Sequence, residues 1–276
     1  MGPLDGFSRA GVVRLTGVLV AAVAVAACCV GVSSAGAAGV IRTIHVGRIP
    51  EGVSSDGTHV WVTNYGGGTV SEIQASSGTV IRTIHVGVDP ERVSSDGTHV
   101  WVTNYGGGTV SEIQASSGTV IRTIHVGREP SGVSSDRTHV WTANQAEGTV
   151  SEIQASSGTV IRTIHVGNFP QAVSSDGTHV WVTNSVEKTV SEIEASSGTV
   201  IRTIHVGKGP VGVSSDGTHV WVTNIGGGTV SEIEASSGTV IRTIHVGKGP
   251  TDVSSDGAHV WVTNWTSGTV SEIPTR

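Results

Sequence analysis

Val53–Gly78 reads VSSDGTHVWVTNYGGGTVSEIQASSG, and its turns and alternations decide the fold. Val53 to Ser55 runs extended into Asp56-Gly57, a pair that accepts the positive backbone angles of a tight hairpin. His59 to Asn64 then alternates, with Val60 and Val62 on one side and His59, Trp61 and Thr63 on the other. Gly66 to Gly68 make a second turn, Thr69 to Ile73 a further strand, and Ser76-Ser77-Gly78 a third turn. Upstream, Val40 to Val46 alternates and stops at Gly47, with Pro50 beyond it. The strands are named D (VIRTIHV), A (leading to Asp-Gly), B (holding Trp61) and C (TVSEI).

The pattern recurs every 40 residues, starting at Val40, Val80, Val120, Val160, Val200 and Val240 and running out after Ile273. Four short antiparallel strands in a unit of this length predict a β-propeller blade. A β-solenoid, the main rival, has shorter rungs and lacks the hairpin turns. The repeat begins with D and ends with C, so there are six of each strand, or 24. The expectation is an all-β, six-bladed propeller of four-stranded antiparallel blades, closed by pairing the N-terminal strand with the C-terminal blade. Closure of that kind removes open sheet edges. Trp61, Trp101, Trp141, Trp181, Trp221 and Trp261, one per blade, are then expected between adjacent sheets as structural residues.

Composition agrees. Of 276 residues, 39 are Gly and only 4% are aromatic. Every Leu, the single Met and both Cys lie before residue 30, and β-branched residues dominate from Val40 onward, which excludes a helical or α/β domain. The same region has no disulfide, thiolate zinc site or cysteine nucleophile. With Arg9, Arg14 and Asp5 set aside, it carries 14 Lys and Arg against 21 Asp and Glu, so no nucleic-acid partner is expected.

Residues 1–39 read as an export signal and short tether ahead of a propeller domain over 40–276. Arg9 and Arg14 precede an apolar run from Leu15 to Val32. Ala35-Gly36-Ala37 fits a cleavage site, whereas Val25-Ala26-Ala27-Cys28 fits a lipobox that would leave Cys28 lipidated. An uncleaved anchor is the third reading. All three place the domain outside the cytoplasm, secreted or on the cell envelope, with membrane contact only through the signal segment or a lipid.

The VWVTN…GTVSEI…SGTVIRTIHVG…P pattern resembles the YVTN (YncE-like) β-propeller repeat, with Trp61 and its equivalents in place of the usual Tyr. The likeness spans residues 40–273 and recurs six times. It implies a propeller, commonly of seven blades in that family, where counting here gives six. One departure is the spacing from Pro50 to Asp56-Gly57, two residues shorter than in the family pattern, which is expected to shorten strand A.

The six copies differ in two windows. One flanks the proline and holds Arg48, Ile49 and Glu51, then Asp89, Glu91 and Arg92, Arg128 and Glu129, Phe169 and Gln171, Lys208, and Lys248 and Asp252. The other follows the strand-B Asn and begins at Tyr65, Tyr105, Gln145, Ser185, Ile225 and Trp265. In an up-and-down blade the D–A and B–C connections emerge together, so variation is expected on one face and near-uniformity on the other. Aromatic residues among mixed charges suit a recognition surface. Drift in tolerant loops is the competing account, but it predicts equal variation in the A–B and C–D turns.

Catalytic signals are sparse. The 12 His recur as two per repeat, His45 ending strand D and His59 opening strand B, at opposite ends of the blade, so no metal site or cofactor is expected. His59, Asp56 and Ser54 are expected to form a hydrogen-bond network beside Trp61, and His45 and Arg42 to be solvated on an outer strand. Glu72 and its five equivalents read as structural. No catalytic residue stands out. Three functions are carried: a binding or scaffold module for a protein, peptide or glycan; a divalent-cation-dependent lyase or lactonase at the same face; and an envelope structural protein without a ligand.

Overall fold

The computed structural model describes residues 41–275; the expected export signal, its cleavage readings and the lipidation candidate Cys28 lie outside them. The first blade is β1 (Pro50–Ser55), β2 (His59–Asn64), β3 (Thr69–Gln74) and β4 (Thr79–His85), hydrogen-bonded in that order. The unit recurs as β5 to β8 between Pro90 and His125, β9 to β12 between Pro130 and His165, β13 to β16 between Pro170 and His205, and β17 to β20 between Pro210 and His245. β21 (Pro250–Ser255), β22 (His259–Asn264) and β23 (Thr269–Pro274) form the sixth. The chain is a six-bladed, all-β propeller, and its only helical turns among the described residues are Tyr65–Gly67 and Tyr105–Gly107.

Strand A is longer than expected, because it opens at the proline itself. Pro50 pairs with Asn64 and Val53 with Val62, leaving Glu51 and Gly52 as a bulge. The hydroxyl of Thr63 accepts from the Gly52 N–H at 2.7 Å, supplying the partner that the bulge removes.

Blades pack through the tryptophan. Trp61 of blade 1 is fully buried against Val93, Val100, Val102 and Ile113 of blade 2, and the next blades repeat the contact. Beside it runs a polar chain. Asp56 Oδ1 accepts from the N–H groups of Thr58 and His59 at 2.8 and 2.7 Å, and Oδ2 from the Trp61 indole at 3.3 Å. His59 Nε2 lies 3.7 Å from Glu72 Oε1, and Arg82 Nη1 is 2.8 Å from Glu72 Oε2. The same guanidinium donates to the carbonyl of Ser116 in the following blade at 3.1 Å. Arg122, Arg162 and Arg202 repeat this latch.

Two expectations are corrected here. Arg82 and its equivalents are not merely solvated: the buried strand-C glutamate needs a cation, and strand D supplies it. Ser54 serves the inter-blade contact, accepting from the N–H of Ser95 at 3.1 Å.

The closing pairing also differs in detail. Residues 41–46 form no strand, and the sixth sheet has three strands. Arg42 still reaches Ser76 O at 3.0 Å, the latch to blade 1, but its segment does not pair with β23. The seam between blades 6 and 1 is loose in consequence. Trp261 is 38% exposed where five equivalents are fully buried, and Val53 is 41% exposed where Val93 and Val213 are buried. Across the channel, Arg92 Nη1 lies 3.6 Å from Asp252 Oδ2, joining blades 2 and 6.

Candidate functional site

The divergent windows are stitched together blade by blade. The N–H of Tyr65 donates to Ile49 O at 2.9 Å, and Tyr105 to Asp89, Gln145 to Glu129, Ser185 to Phe169, Ile225 to Gly209 and Trp265 to Gly249 in the same way. On the opposite face the Ala75 N–H donates to Thr58 O at 2.9 Å, joining the A–B and C–D turns. The two kinds of connection therefore emerge on opposite sides of the disc, and the variable positions share one of them.

The residue before each proline is left-handed. Ile49, Asp89, Glu129 and Phe169 have φ of 51, 52, 53 and 59°, and Gly209 and Gly249 have 63 and 67°. Such a backbone suits glycine and crowds any Cβ, most of all a β-branched one such as Ile49. Blades 5 and 6 use the unstrained residue; blades 1 to 4 present a side chain there.

The site residues fall into two rings. Glu51, Glu91, Arg92, Gln171 and Asp252 lie on the innermost strands at the channel. Burial works against the Arg92 charge, but Asp252, Glu91 and Glu51 outweigh it and raise its pKa above the ordinary value. The outer ring consists of the loop residues. There the Tyr105 hydroxyl donates to Glu129 Oε2 at 2.8 Å and lies 3.1 Å from Gln145 Oε1, bridging blades 2 and 3. Arg128 pairs with Glu147 at 3.2 Å, and the Asn168 amide donates to Glu187 at 2.7 Å. A depression of about 430 Å³ opens beside Tyr105, lined by Asp89, Gly106 to Gly108, Arg128, Glu129 and Ala146. Lys208, Lys248, Ile225 and Trp265 stand on blades 5 and 6, away from that cluster.

The uniform face has a depression of similar size, about 440 Å³, lined by Ser55, Ser95, Ser135, Asp56, Asp96, Asp136, Gly97 and Arg137. Its carboxylates are engaged in turn and indole hydrogen bonds. Burial pushes the Asp56, Asp136 and Asp216 carboxyls up, but backbone and side-chain donors outweigh it and hold them below the ordinary carboxylate value. No group of three or more His, Cys, Asp or Glu side chains is placed to hold a metal ion among the described residues.

Sequence reasoning missed a compensating exchange in blade 3. Ala143 replaces the strand-B Thr, and Ser131, at the position of Glu51, donates instead to Gln171 O in the next blade at 2.9 Å. The signal was two coincident departures from the repeat, at Ser131 and Ala143.

Fold and site together define a propeller repeat protein with two unlike faces. No known family's sequence profile matches this chain, and no curated protein matches it. Solved structures do share the fold. Virginiamycin B lyase from Staphylococcus aureus superposes with a TM-score of 0.69 at 18% identity, over 82% of this chain and 84% of that one. A streptogramin B lyase does so at 0.69 and 17%, covering 82% and 83%. The computationally designed Ika8 protein gives 0.71 at 13% identity, covering 82% and 71%.

Proposed function

We propose that this chain is an exported binding module of the YVTN (YncE-like) kind, recognising a protein, peptide or glycan through its divergent face. The observation that carries the reading is the left-handed position before the proline. A left-handed conformation costs an L-residue about 1–2 kcal/mol relative to the right-handed one. The repeat itself holds the glycine solution at Gly209 and Gly249, yet four blades keep Ile49, Asp89, Glu129 and Phe169. Strain retained where relief is at hand fits side chains kept for contact. The apolar run and small residues of the leader support a place outside the cytoplasm.

The test replaces both windows of blades 1 to 4 with those of blade 5, Lys208–Gly212 and Ile225–Gly228. The full chain is then used for affinity capture from its own cell envelope. Capture should fall to background, and also in the variant with Tyr65, Tyr105, Phe169 and Trp265 changed to Ala. A partner retained at full strength by the grafted protein refutes the reading.

A second reading is enzymatic, favoured by the likeness to two lyases and by the Tyr105–Glu129–Gln145 cluster beside a depression. It requires turnover that depends on added Mg²⁺ or Ca²⁺ and is lost in Glu91→Gln or Glu129→Gln. The side chains retained at the four left-handed positions make binding the leading reading.

A further inference from the structure

We propose that blades 1 to 4 take a peptide segment bearing two basic side chains between apolar ones; this rests on the divergent face being the recognition surface. The four left-handed positions present, in ring order, Ile49, Asp89, Glu129 and Phe169. Two carboxylates thus stand between two apolar side chains, and the outer pair is well exposed, Ile49 at 48% and Phe169 at 43%.

The inner pair is half-buried at the depression and lacks an internal counter-charge. Asp89 has no ion-pair partner among the described residues. Glu129 is held by the neutral Tyr105 hydroxyl, which orients its carboxylate without neutralising it. The one cation lining the depression, Arg128, is paired with Glu147. Two partly desolvated carboxylates beside an aromatic ring favour an ammonium or guanidinium group, which gains charge-assisted hydrogen bonds and a cation–π contact. The divergent windows of blades 1 to 4 hold six carboxylates against four cations, Arg48, Arg92, Arg128 and Lys188, whereas those of blades 5 and 6 hold Lys208 and Lys248 against Asp252, so a basic segment is steered toward the first arc. Ile49 and Phe169 then receive apolar side chains at its two ends.

The probe is a set of capped synthetic peptides with two Lys or Arg separated by one to four residues and flanked by Leu or Phe. Binding to the full chain is measured by fluorescence anisotropy at low and high salt. Controls carry Asp or Gln in place of the basic residues, and chito-oligosaccharides form a separate arm. Basic peptides should bind, weaken with salt, and lose at least tenfold in Asp89→Gly with Glu129→Gly. Glycine already occupies this position in blades 5 and 6, and melting curves check that the variant stays folded. Equal binding of Asp or Gln peptides, no binding of any basic peptide, or retention by the double variant overturns the proposal. If instead an oligosaccharide binds and the blade 5 graft abolishes it, the peptide assignment falls while the face reading stands. Binding that survives the graft removes both.

Discussion

The hydroxyl of Ser131 donates to the carbonyl of Gln171 at 2.9 Å, the inter-blade contact that Thr63 makes to Glu91 O at 2.8 Å from the adjacent strand. Blade 3 has moved this donor from strand B to strand A, and Ser131 is almost fully buried. Ser131→Ala should therefore destabilise by about 1–3 kcal/mol through the orphaned acceptor. Adding Ala143→Thr should restore most of that loss in denaturant titration, whereas Ala143→Thr alone should gain little.

Tryptophan truncation should sort the blade interfaces. Trp101→Ala removes a fully buried side chain and should cost about 3–5 kcal/mol. Trp261→Ala, at a site 38% exposed, should cost clearly less. Thermal melts of the two variants compare them directly, and equal losses would mean that the seam between blades 6 and 1 packs as tightly as the rest.

The Glu–Arg latch predicts an asymmetry. Glu112 is fully buried and Arg122 is 35% exposed, 2.7 Å apart. Arg122→Ala strands a buried carboxylate and should cost about 3–5 kcal/mol. Glu112→Gln leaves a half-exposed guanidinium that water can solvate, and should cost less in the same unfolding assay.

Acid sensitivity follows from the turn aspartates. Asp56, Asp136 and Asp216 have folded-state pKa values below the ordinary carboxylate value of about 3.9. Their contribution is fully present above that pH and is lost as the pH falls through the lowered folded values. Stability should decline below about pH 4, and Asp136→Asn should flatten that decline while lowering stability at neutral pH.

Arg137 gives a control for strain away from the divergent face. It has φ of 78° where the equivalent Gly57 and Gly97 have 89 and 88°. Arg137→Gly should stabilise by up to about 1 kcal/mol, since relieving the left-handed strain exceeds the entropy that glycine adds to the unfolded chain. Partner capture should be unchanged.

The alternation around Trp61, the Asp-Gly turns and the 40-residue period carried the blade and its count, because these features are local in the chain. The latch was less visible. Arg82 lies on the covered side of strand D with Val80 and Ile84, but a charged residue on the outermost strand reads as solvated, and only its register opposite Glu72, on the tryptophan side of strand C, reveals the pair. The bulge at Gly52 escaped because its partner is the Thr63 side chain, which no backbone pattern foretells. At the candidate site the two variable windows were legible by comparing copies. The left-handed backbone was not, since Ile, Glu and Phe disfavour it and only Asp89, Gly209 and Gly249 hint at it.

The guanidinium that grips the next blade's carbonyl does so with the same atoms at Ser116, Ser156, Ser196 and Ser236. At the junctions from blade 1 through blade 5, each module thus offers the same plug and the same socket as its neighbours. Recombination between such copies could splice a whole module in or out without designing a new joint, and the circumference would change while every remaining junction kept its fittings.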